Sequence, residues 1–77
     1  MRIISQDKKS DVLYEEGSLE VEGVRIFCYS GGHKFYLGAY INDNGDDETL
    51  IKVLQMIRQS EKNGEKEFYM PQSSDVQ

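Results

Sequence analysis

Residues 19–41 read LEVEGVRIFCYSGGHKFYLGAYI and predict most of the sheet of this chain. Apolar and polar side chains alternate along 19–22, and the runs 24–29 and 34–41 are rich in β-branched and aromatic residues typical of strands. Glu22-Gly23 predicts a tight hairpin turn, and Gly31-Gly32 predicts a second one. Such short connections join neighbouring strands antiparallel, so the stretch predicts a meander.

Shorter strand signals flank this meander on both sides. Residues 2–6 and 11–15 predict two strands joined by the polar turn 7–10, and residues 67–70 predict a last short strand that Pro71 ends. The expected fold is α+β, an antiparallel β-meander of four or five strands with one amphipathic helix packed on one face.

The helix is predicted between an acidic start and a glycine stop. Asp46 or Asp47 is expected as the N-cap, and Gly64 is expected as the left-handed residue just past the end. Between them, apolar residues recur at the spacing of one helix face. This apolar stripe comprises Leu50, Val53, Leu54 and Ile57.

A chain of 77 residues has room for one core. We expect a single domain over residues 1–70 and a disordered polar tail over residues 71–77. The only cysteine, Cys28, excludes an internal disulfide. The start of the sequence lacks the apolar run of a signal peptide, and no run is long enough to span a membrane, so we expect a cytoplasmic protein of a bacterial host cell.

The formal net charge of −5 bears on the choice of partner. A surplus of acid opposes direct binding to nucleic acid, which depends on lysine and arginine neutralising phosphates. It favours a basic partner, including a host protein that itself binds nucleic acid. The alternative is that the acidic residues only keep a small domain soluble.

Strand geometry sorts the side chains of residues 24–29 and 34–41 onto two faces. The face expected to pack against the helix comprises Val24, Ile26, Cys28, Phe35, Leu37, Ala39 and Ile41. The opposite face comprises Arg25, Phe27, Tyr29, Tyr36 and Tyr40, and the sequence offers no second helix to cover it. Either the sheet curls until other segments half cover these residues, or they form a partner-binding surface or a homodimer interface, as aromatic residues and arginine often do.

The acidic turn before the helix offers a second predicted binding element, an acidic rim of Asp43, Asp46 and Asp47. Its spacing does not match a calcium-binding EF-hand loop, which needs ligands at alternating positions and a glutamate at the twelfth. No metal and no cofactor are expected. Cys28 is predicted in the core and His33 on a hairpin loop, which leaves neither with a catalytic neighbour, and an enzyme is not expected.

Four segments carry a resemblance to a family. They are MRIISQ at 1–6, DVxYE at 11–15, LGxY at 37–40 and VLQMIR at 53–58, the last in the predicted helix. With these segments the chain resembles a group of small phage and prophage proteins of Gram-positive bacteria. The resemblance implies a mobile-element origin and assigns no residue a role.

Size, charge and this resemblance together suggest a function by analogy of class. The leading hypothesis is a non-enzymatic phage-derived binding protein that inhibits a host defence protein, as anti-CRISPR proteins do. One alternative is a sponge for a nucleotide signal, held between tyrosine rings and cations such as Arg25 and Lys34. Another is a phage structural or regulatory accessory protein that forms a homodimer.

Overall fold

The computed structural model describes residues 1–41 and 47–76. The described strands are β1 (Arg2–Ile4), β2 (Asp11–Leu13), β3 (Ser18–Glu22), β4 (Arg25–Ser30), β5 (His33–Ala39) and β6 (Glu67–Tyr69). The helices are α1 (Glu48–Lys62) and α2 (Ser73–Val76), and a 3₁₀ turn at Tyr14–Glu16 links β2 to β3. The predicted α+β class is confirmed.

The described strands form two three-stranded sheets, so the prediction of one continuous meander is only partly right. The first sheet is the β3–β4–β5 meander, antiparallel as predicted. The second has the order β2–β1–β6, in which β1 pairs antiparallel with β2 and parallel with β6. A parallel pair needs a long crossover, and here the intervening chain contains both the meander and α1.

Two tight turns set the register of the meander. The first loop is Gly23-Val24, one residue later than predicted, with Gly23 at a φ of 63°. The second is Gly31-Gly32, with φ values of 57° and 80°. Positive φ at these positions gives the turns whose twist matches antiparallel strands, and glycine adopts it at little cost. Val24 therefore lies in a turn and is exposed rather than packed under the helix.

A β-bulge interrupts the pairing of β4 with β5. Phe27 pairs with Tyr36 while its neighbour Ile26 pairs with Gly38, which leaves Leu37 as the extra residue. A bulge places two residues opposite one and so breaks the simple alternation of faces. Along β5 the sequence-based assignment of faces holds up to Leu37 and fails beyond it.

The core lies between α1 and the two sheets. The predicted helix is confirmed, and Leu50, Val53 and Ile57 of its apolar stripe are buried, whereas Leu54 is partly buried. Asp47 holds the N-cap position without a capping side-chain hydrogen bond, and Gly64 has the expected left-handed φ of 75°. Ile3, Val12 and Phe68 from one sheet and Ile26, Cys28 and Leu37 from the other complete most of this core.

Part of the predicted tail packs onto the domain. Residues 71–77 include α2, and its Val76 lies against the core. The carbonyl of Pro71 accepts hydrogen bonds from the Tyr40 phenol and the Gln6 side chain. Within residues 1–41 and 47–76, no helix has the length and apolar character needed to cross a membrane.

Candidate functional site

One face of the meander carries most of the predicted binding residues. Because side chains alternate along a strand and paired residues share a face, the register places a defined set of side chains on the side away from the core. We call this set the outer face. It comprises Ser18, Glu20 and Glu22 of β3, Arg25, Phe27 and Tyr29 of β4, and Lys34, Tyr36 and Ala39 of β5.

The centre of the outer face is an aromatic pair with a cation against it. The rings of Phe27 and Tyr36 meet edge to face, with centroids 6.0 Å apart and an interplanar angle of 68°. The Lys34 Nζ lies 4.2 Å from the Phe27 centroid and 5.8 Å from that of Tyr29. A cation at this distance is attracted to the negative face of the ring.

Glu22 fixes this cation and the neighbouring phenol. Its two carboxylate oxygens accept hydrogen bonds from the Lys34 Nζ at 2.7 Å and the Tyr29 hydroxyl at 2.6 Å. The bonds from Lys34 and Tyr29 lower the pKa of Glu22, and the bond to Glu22 raises the pKa of Lys34 and of Tyr29. All three groups are solvent-accessible, so we assign the network a role in orienting side chains rather than in stability.

Four of the predicted aromatic-face residues, Arg25, Phe27, Tyr29 and Tyr36, do lie together on the outer face. The prediction that Tyr40 joins them is wrong. Tyr40 is 1% exposed and belongs to the core, where its hydroxyl donates to the Pro71 carbonyl at 2.7 Å. Burial raises the pKa of this phenol well above its ordinary value.

The bulge explains why Tyr40 turns inward. The extra residue in β5 shifts the alternation, and β5 ends at Ala39 before Tyr40 is reached. The Tyr40 ring then lies against Gly38, where an added Cβ would sit 3.0 Å from a ring carbon. Ile41, predicted to pack under the helix, is instead 61% exposed.

Of the predicted acidic rim, Asp43 and Asp46 lie outside the described residues. Asp47 is described and is exposed at the start of α1.

Sequence reasoning alone misses Glu22 as a member of the site. Its role depends on the register across two hairpins, which sets Glu22 opposite Arg25, and Tyr29 opposite both Ser18 and Lys34. The signal was present in the tight turns, since a two-residue loop fixes register. This signal places Glu22 on the outer face only when the first loop is assigned to Gly23-Val24.

The two reactive side chains named from the sequence sit in different surroundings. Cys28 is fully buried, and burial raises the pKa of its thiol, which disfavours the nucleophilic thiolate. His33 is exposed at the start of β5, with its ring centroid 6.2 Å from that of Phe35. Among the residues that the structure describes, no group of three or more His, Cys, Asp or Glu side chains is placed to hold a metal ion.

Comparison of the chain with known protein families, with curated proteins and with solved structures found no match to any of them.

Proposed function

We propose that this chain is a non-enzymatic binding protein that docks a larger protein on its outer face. The observation that carries the proposal is the ordered cluster of Phe27, Tyr29 and Tyr36 around Lys34 and Glu22, held in place by the contacts given above. Tyr29 is 39% exposed, and Phe27 and Tyr36 are each partly exposed. Aromatic anchors that are fixed before binding lose little conformational entropy when a partner arrives.

The net charge of the chain favours a basic partner, whereas the charges of the outer face balance, with Glu20 and Glu22 against Arg25 and Lys34. The net charge is −5, and Lys34 on the outer face is already paired with Glu22. Glu20 adds a further exposed carboxylate beside the aromatic pair, opposite Phe27. Complementary potentials of this kind raise association rates and suppress wrong partners.

The resemblance to phage and prophage proteins leads us to propose a host defence protein as that partner, so that the chain acts as an inhibitor. A defence protein that binds nucleic acid is both a host defence protein and a basic partner, because such proteins carry the positive surfaces that this chain complements. The nucleotide-sponge alternative receives less support, since the Lys34 ammonium it would use is engaged by Glu22 at 2.7 Å.

The test combines a phage assay with a matched pair of variants. The wild-type chain, expressed in bacterial hosts that carry defined defence systems, should restore plating of a phage that one of these systems excludes. The double variant Phe27→Ala, Tyr29→Ala should lose this effect and bind the purified defence protein about thirtyfold more weakly or worse, because truncating an anchor typically costs about 2 kcal/mol or more.

Tyr69→Ala is the control, because Tyr69 is 61% exposed on β6, in the other sheet. It should retain the wild-type effect on plating and the wild-type affinity. If no defence system is inhibited, the inhibitor proposal fails. If the double variant folds and inhibits as well as wild type, the outer face is not the binding surface. A defined dimer that the double variant abolishes would identify a second copy as the occupant instead.

A further inference from the structure

The edge of β3 that faces away from β4 has backbone groups with no strand partner among residues 1–41 and 47–76. β3 ends the sheet order, and its pairing in the described residues is with β4. The two-residue loop makes Glu22 and Arg25 a hydrogen-bonded pair, so that Glu20 and Ser18 also point their backbone groups at β4. The N–H and C=O groups of Leu19 and Val21 therefore point away from the sheet.

The opposite edge of the meander is partly occupied. The Gln6 backbone N–H donates to the Leu37 carbonyl at 2.6 Å, and the Gln6 side chain bonds to both backbone groups of Ala39. The edge of β3 carries no comparable contact within the described residues. Four of its five residues are exposed.

The side chains of β3 give its free edge an acidic side and an apolar side. Glu20 and Glu22 lie on the outer face, whereas Leu19 and Val21 lie on the core side, where Val21 is 42% exposed. An added strand would meet carboxylates on one side and an apolar margin of the core on the other. A strand in which lysine or arginine alternates with valine-like residues matches both sides of the edge, because opposite charges and apolar pairs stabilise neighbouring strands.

A second copy of the chain fits this edge poorly. Antiparallel self-pairing centred on Glu20 would set Glu20 opposite its own copy, and pairing centred on Val21 would set Glu20 opposite Glu22. Like charges directly opposite each other destabilise a strand pair. The acids therefore disfavour self-pairing in these two registers, and they favour a basic segment.

We infer that the β3 edge binds an extended, basic segment of a partner protein by strand addition, with the segment's basic residues over Glu20 and Glu22 and its apolar residues beside Leu19 and Val21. Strand addition takes affinity from main-chain hydrogen bonds and specificity from alternate side chains. The inference rests on the proposed function only for the view that the partner is a protein. It assigns that partner a second contact, which adjoins the aromatic cluster and shares Glu22 with it.

The test uses a short synthetic peptide that alternates lysine with valine and is blocked at both ends. Titrated into the full chain and followed by amide NMR, it should shift the Leu19 and Val21 amides and protect them from hydrogen exchange. A peptide of the same composition with its lysines and valines in separate blocks should bind about tenfold more weakly or worse, because it cannot present one type of side chain to each face.

Val21→Pro removes an outward N–H without removing a bond to β4, and proline is tolerated at such edge positions. It should abolish peptide binding, whereas Val21→Thr, which keeps the N–H, should bind. Glu20→Lys should weaken binding of the lysine peptide and favour one that alternates glutamate with valine. If Val21→Pro unfolds the chain, a peptide N-methylated on the amides that would face β3 supplies the same test against the wild-type chain, and it should fail to bind.

Unprotected Leu19 and Val21 amides, or equal binding by the N-methylated peptide, would overturn the inference. Those results leave the phage assay and the Phe27→Ala, Tyr29→Ala comparison untouched, so failure of the edge and failure of the proposed function are distinguishable.

Discussion

Gly17 lies directly against the buried thiol of Cys28. A Cβ added at Gly17 would overlap the Cys28 Sγ and would lie 3.1 Å from the Tyr29 carbonyl oxygen. The φ of Gly17 is −135°, so the requirement for glycine here comes from lack of space rather than from backbone conformation. This contact lets the chain entering β3 approach the middle of β4.

Gly17→Ala should therefore destabilise the protein by about 1–3 kcal/mol, the usual cost of overpacking. Cys28→Ala removes the sulfur that the new methyl group would contact. The double variant should therefore lose less free energy of unfolding than the sum of the losses in the two single variants. Urea denaturation of wild type, both single variants and the double variant measures this coupling. Strict additivity would show that the two residues are not in contact.

Gln6 joins elements that strand pairing leaves separate. Its side-chain Oε1 accepts from the Ala39 N–H at 3.0 Å, and its Nε2 donates to the Pro71 carbonyl at 3.1 Å. Its own carbonyl accepts from the Gln72 side chain. One residue just after β1 thereby holds the end of β5 and the segment that leads into α2.

Gln6→Ala should cost about 1–3 kcal/mol, because it leaves the part-buried Ala39 N–H without its acceptor. Hydrogen exchange should speed up at the Ala39 amide, while the β3–β4 amides change less. Gln55→Ala, at an exposed position on α1, is the matched control and should stay within about 0.5 kcal/mol of wild type. An unchanged Ala39 exchange rate would contradict the role given to Gln6.

The elements that the sequence predicts well are those fixed by neighbouring residues. The helix stripe of Leu50, Val53 and Ile57 and the glycine turns follow from local spacing and local backbone preference. The bulge at Leu37 and the parallel pairing of β1 with β6 follow from packing between distant segments, and no local pattern reports them. The error at Tyr40 is of the second kind, whereas Glu22 is missed because the sequence places the first turn one residue too early, at Glu22-Gly23.

The free energy of unfolding should depend on pH in the alkaline range because the Tyr40 phenol is buried. Burial raises the pKa of Tyr40 in the folded protein above the value of about 10 for an unfolded chain. Above that pH the unfolded state loses the phenol proton while the folded state keeps it, so the free energy of unfolding falls as pH rises. The slope for one such group approaches about 1.4 kcal/mol per pH unit.

Tyr40→Phe should flatten this alkaline decline, although it loses the bond to the Pro71 carbonyl and starts about 1 kcal/mol less stable. Denaturant titrations at a series of pH values from neutral to strongly alkaline measure both effects. Tyr69→Phe, at an exposed position, should keep the wild-type slope. If the free energy of unfolding of Tyr40→Phe falls as steeply with pH as that of wild type, the decline is due to another group.

The parallel pairing of β1 with β6 has a consequence for the order of events on the ribosome. The β3–β4–β5 hairpins close over two-residue loops and are able to form as soon as they emerge. By contrast, Arg2 and Ile3 of β1 pair with Glu67 and Phe68 of β6, which are made much later. Contacts between such distant segments form slowly, because a long loop must close first. The meander and the β1–β2 pair therefore form first, and closing the β2–β1–β6 sheet comes last, once residues 67–69 have been made.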